Sequence, residues 1–67
     1  MSNLNELRAI RTKIMKSKGF TTSEAVDWIA GELTKSPLTV WGWFNRNELT
    51  PIPNDTLYRL KDIVSRL

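Results

Sequence analysis

The sequence predicts a small all-α domain of four helices. Two observations predict this. Apolar residues recur at spacings of three and four in four separate stretches, and each stretch is bracketed by capping residues, Gly or Pro. No stretch shows a strand pattern. The chain has 67 residues, which allows one domain close to the lower limit for folding on a hydrophobic core alone.

In the first helix, over roughly Leu4 to Lys18, Leu4, Leu7, Ile10 and Ile14 share one face, with Arg8, Arg11, Lys13 and Lys16 on others. Asn3 and Glu6 have the spacing of a capping box, and Gly19 is a C-terminal stop preceded by Lys16 and Lys18. Thr21, Thr22 and Ser23 offer an N-cap to the second helix, whose stripe is Val26, Ile29, Ala30 and Leu33. Gly31 lies inside it. Thr34 and Lys35 form a short turn. Ser36 then caps a third helix and Pro37 takes its first position, where a missing N–H costs nothing. That helix runs to about Arg46. Residues Asn47 to Pro53 hold two prolines and read as a loop. Asn54 is the expected cap of the last helix, whose apolar face is Leu57, Leu60, Ile63, Val64 and Leu67.

Composition narrows the function. With no Cys and no His, the chain lacks disulfides, thiolate nucleophiles, imidazole bases and most zinc ligands. Glu24, Asp27 and Glu32 read as ordinary surface charge on one helix, and no Gly-rich phosphate loop or activated Ser is visible. No enzyme and no cofactor are expected. No apolar run is long enough to cross a bilayer, and the start, Met1-Ser-Asn-Leu-Asn-Glu6, lacks the basic and apolar regions of a signal peptide, so no membrane is expected. The net charge of +3 suits a polyanionic partner or simple solubility.

A helix-turn-helix requires a small residue in its first helix, apolar residues at fixed offsets, and a second helix whose N-terminal half stays free for a DNA groove. Ala30 is small, Leu33 follows three residues later, Val40 lies ten after Ala30, and Trp43 three beyond that. Over Ala30-Gly-Glu-Leu33 and Ser36-Pro-Leu-Thr-Val40-Trp-Gly-Trp43-Phe-Asn45 the chain resembles the helix-turn-helix of phage Cro and lambda-repressor regulators. In that family a segment Ser-x-x-Thr-Val-x-x-Trp commonly opens the recognition helix. Thr34 stands where the family usually has Gly, Lys35 where it usually has an apolar residue, the second helix is about a turn longer at its start, and no fifth helix follows. A second alignment puts Ala25 or Val26 at the small position and the extra residues in the turn near Gly31; the spacing to Val40 and Trp43 favours Ala30. A looser likeness to anti-CRISPR-associated phage regulators rests on Glu6-Leu-Arg-Ala-Ile-Arg11, Ser23-Glu-Ala25 and Ile52-Pro-Asn-Asp55.

The resemblance implies a lambda-repressor-like fold, with a helix-turn-helix over about residues 22–46. It also implies a DNA-binding transcriptional repressor of phage or mobile-element type, autoregulatory, in the cytoplasm of a bacterium or phage-infected cell. By helix phase the groove face is Pro37, Leu38, Trp41 and Asn45, and Gly42 allows close approach of backbone to DNA. Lys35, Ser36 and Thr39 at the start of the helix would meet phosphate, where free N–H groups also attract anions. Arg46 and Asn47 at its end suit phosphate or base contact. Competing structural readings are a Trp41 packed on the loop before the last helix, a Leu38 packed on the first helix, a Gly42 that is merely tolerated, and a solvated basic face on the first helix. Trp43 is expected in the core and Trp28 buried or half-buried against the first helix. One short recognition helix reads few bases, so a homodimer on a two-fold operator is expected, through Ile63, Val64 and Leu67. The alternatives are a protein-interaction module using Trp41 and Leu38, or an excisionase-like recombination accessory protein that bends DNA.

Overall fold

The computed structural model describes residues 3–46 and 49–67. It is all-helical, with α1 at Asn3–Lys18, α2 at Thr22–Leu33, α3 at Pro37–Asn45 and α4 at Asn54–Ser65, and no strand among the described residues. The helices surround one core, in which Leu7, Ile14, Val26, Ile29, Val40 and Leu60 are completely enclosed.

The ends of the helices follow local chemistry. At the end of α1, Gly19 takes the left-handed conformation (φ 69°), and the Phe20 N–H reaches back to the Met15 carbonyl at 3.1 Å. Thr21 is the N-cap of α2 and forms a full capping box. Its Oγ1 accepts from the Glu24 N–H at 3.3 Å, and Glu24 Oε1 accepts from the Thr21 N–H at 2.9 Å. Helix α2 passes through Gly31 and stops at Leu33, so the alternative register with its turn near Gly31 does not hold. Thr34 adopts the left-handed conformation (φ 57°, ψ 43°), and the Lys35 N–H bonds the Ala30 carbonyl at 2.9 Å. This closes the α2–α3 turn with a β-branched residue where glycine is usual.

Two expected caps are replaced by contacts between helices. Asn3 lies inside α1 and its Nδ2 donates to Asn54 Oδ1 at 2.9 Å, while Glu6 Oε1 pairs with Lys61 Nζ at 2.9 Å. Asn54 is therefore the first residue of α4 rather than its cap. The cap position is Pro53, which has no side chain able to bond the helix. Both exchanges tie the start of α1 to α4.

The last helix also differs from expectation in what it exposes. Of the three residues expected to meet a partner, Val64 is buried in the core, Ile63 is half-buried against it, and Leu67, just past α4, is open at 45%, while Tyr58 on α4 is 67% exposed. The core absorbs more of the terminal apolar face than expected, so Val64 is not available to a partner subunit. Ile52, in the loop before α4, is also buried, and it joins Phe44 beneath α3 as core that periodicity did not mark.

Candidate nucleic-acid interface

Helix α3 divides into two faces. Val40, Trp43 and Phe44 are buried, and Ala30 and Leu33 of α2 lie in the same cluster, which agrees with the phase that placed Ala30, Leu33, Val40 and Trp43 together. Leu38 and Asn45, two turns apart on the opposite side, are exposed, and Leu38 is 82% open. A Leu38 packed on α1 is thereby ruled out. Trp41 lies on the boundary, half-buried against the core, so it is neither fully outward nor fully packed away. Trp28 is half-buried too, with Lys18 Nζ of α1 5.3 Å from its ring centre.

The start of α3 is closed by its own side chains. Ser36 Oγ accepts from the Thr39 N–H at 3.2 Å and lies 3.0 Å from Thr39 Oγ1. The Val40 N–H bonds the Ser36 carbonyl, and Pro37 has no N–H to offer. The amides of this turn are thus less free for an anion than the sequence suggested. Ser36 and Thr39 act first on each other.

The other end is organised by Thr50, which sequence reasoning missed. Thr50 Oγ1 donates toward the Gly42 carbonyl at 3.2 Å and the Arg46 carbonyl at 3.1 Å. The Arg46 carbonyl also accepts from the Leu49 and Thr50 N–H groups at 2.9 and 2.7 Å. A Cβ on Gly42 would lie 3.2 Å from Thr50 Oγ1. The close approach that Gly42 permits is therefore one within the chain, and the loop is laid against α3 through it. Only the fold brings these two residues together, since they are eight apart and share no local motif.

The result is an open cleft of about 630 Å³ whose lining includes Leu38, Trp41, Gly42, Asn45, Arg46 and Thr50. Thr39 and Trp43 also contribute to its wall. Of the residues expected at the site, Leu38, Thr39, Trp41, Gly42, Asn45 and Arg46 are gathered here. Lys35, Ser36 and Pro37 lie exposed just before, and Asn47 lies outside the described residues. No acidic residue occurs between Lys35 and Asn47, so this stretch carries only positive charge, from Lys35 and Arg46.

No family model, curated protein or solved structure matches the chain. Among the described residues there is no group of three or more potential metal-binding side chains, and no helix is long and apolar enough to cross a membrane.

Proposed function

We propose that this chain is a sequence-specific DNA-binding regulator that presents α3 to the major groove, a repressor of phage or mobile-element type. The observation that carries the reading is the division of α3. One face is locked into the core by Val40, Trp43 and Phe44, and the other offers Leu38 and Asn45 to solvent. A rigidly held helix with an open N-terminal half is what groove reading requires. Lys35 before it and Arg46 after it suit phosphates on either side, and the net charge of +3 favours a polyanion. Pairing of two chains on a two-fold site is part of this proposal, with Leu67 and the open part of Ile63 as the apolar surface left for it.

A second reading, a protein-interaction module, is favoured by the apolar character of the same surface. Leu38 is 82% exposed and lines the cleft together with the half-buried Trp41. Selecting bound duplexes from a random pool separates the two. An enriched motif whose binding weakens steeply with salt supports the DNA regulator. Absence of any enriched motif, with salt-insensitive or no duplex binding, overturns it.

A further inference from the structure

We propose that Arg11, on α1, is a phosphate-binding residue that carries the duplex contact of α3 onto the neighbouring helix; this rests on the DNA-binding reading above. The guanidinium carbon of Arg11 lies 4.4 Å from the centre of the Phe44 ring. Phe44 is itself buried in the core, so the guanidinium is stacked on a fixed platform. Its Nε is buried and has no hydrogen-bond partner, while the residue as a whole is only half-buried. The head is thus held against the Phe44 ring on a side chain that is still partly open to solvent.

No carboxylate neutralises it among the described residues. The positions one turn away on α1 are Leu7, Arg8, Ile14 and Met15. Glu6 is engaged by Lys61, Asp62 by Arg66, and Glu24 by the Thr21 amide. A purely structural cover for Phe44 would be supplied by an uncharged side chain without burying an unpaired donor. A stacked, unpaired guanidinium is instead suited to a planar, two-oxygen acceptor such as a phosphodiester.

Its position fits the same ligand as α3. Trp41 lines the cleft and Phe44, one turn beyond it, does not, so helix phase puts Arg11, over Phe44, beside the cleft on the Trp41 side. Along α1, Arg8, Arg11 and Lys18 recur at spacings that place them on one stripe, with no acid in it. The ligand is therefore the backbone of the duplex that α3 reads, not a separate anion.

The test uses the full chain, its selected duplex and the variants Arg11→Met and Arg11→Lys. Met preserves apolar cover on Phe44 and removes the charge. Arg11→Met is expected to reduce the slope of log affinity against log salt by about one unit and to weaken matched and mismatched duplexes by the same factor. Arg11→Lys is expected to keep the slope and bind less tightly. A single methylphosphonate moved along the duplex should identify one position that weakens the wild type and leaves Arg11→Met unaffected. An unchanged slope in Arg11→Met, with the wild type binding normally, overturns the role of Arg11 alone. A wild type that binds no duplex overturns the reading on which the role rests. Should Arg11→Met fail to fold, the Nε–Hε resonance of Arg11 in the wild type decides. It is expected to shift on adding duplex. No shift, or an equal shift with inorganic phosphate at matched ionic strength, overturns the duplex contact.

Discussion

Thr34 holds the α2–α3 turn in a conformation that β-branched residues rarely adopt, and replacing it should stabilise the protein. With φ 57° and ψ 43°, it is the only non-glycine with positive φ among the described residues. A non-glycine residue there costs about 1–2 kcal/mol, and the second branch on Cβ adds crowding. Glycine removes that strain but gives the unfolded chain more freedom, which offsets about 0.5–1 kcal/mol. The turn's hydrogen bonds, from Thr34 and Lys35 N–H groups to Gly31 and Ala30 carbonyls, involve only backbone and are kept. Thr34→Gly should therefore stabilise by about 0.5–1 kcal/mol, which in a domain of this size raises the melting temperature by about 2–8 °C. Thermal unfolding followed by circular dichroism measures it. Thr34→Ala keeps the left-handed strain and should gain less than glycine. A Thr34→Gly variant that melts lower than wild type would refute the reasoning, because it would mean that the turn is not built on a left-handed residue.

Three further predictions concern α3. Gly42→Ala should gain less than the helix-propensity difference of about 1 kcal/mol in the wild type, because the new Cβ crowds Thr50 Oγ1, and should gain it fully in a Thr50→Ala background; equal effects in both backgrounds, measured by denaturant unfolding, would remove the Gly42–Thr50 coupling. Trp43→Ala should cost about 3–5 kcal/mol, whereas Leu38→Ala should leave stability within about 0.5 kcal/mol and reduce discrimination at a thymine, an effect matched by replacing that thymine with uracil, which deletes only the methyl group; a Leu38→Ala protein that melts early would place Leu38 in the core. Lys35→Ala and Arg46→Ala should each weaken all duplexes about equally and lower the salt slope by about one unit, and a change in the preferred sequence would instead assign that residue to base reading.

Much of the fold was legible in the chain because its signals act over a few residues. Ser36 and Pro37 start α3 as their chemistry requires, Gly19 ends α1 with positive φ, and the N-cap of α2 falls within the run Thr21, Thr22 and Ser23, at Thr21. The phase of Val40 and Trp43 was enough to place Leu38 outside and Trp43 inside. The phase did not decide Trp41, because a side chain on the boundary is placed by whatever packs beside the helix.

By itself, then, the sequence determined four helices and the two-sided character of α3, through hydrogen bonds and periodicity within one or two turns, while the structure decided between the two registers of the α2–α3 turn. Only the tertiary structure decided which residues meet across distance. Thr50 lies on Gly42, Arg11 on Phe44, Asn3 on Asn54 and Glu6 on Lys61, and Ile52 and Val64 fill the core instead of facing outward. These contacts join residues from eight to fifty-five positions apart. Their partners are chosen by the way four helices enclose a core too small to leave Val64 or Ile52 unused, and no local pattern carries that information.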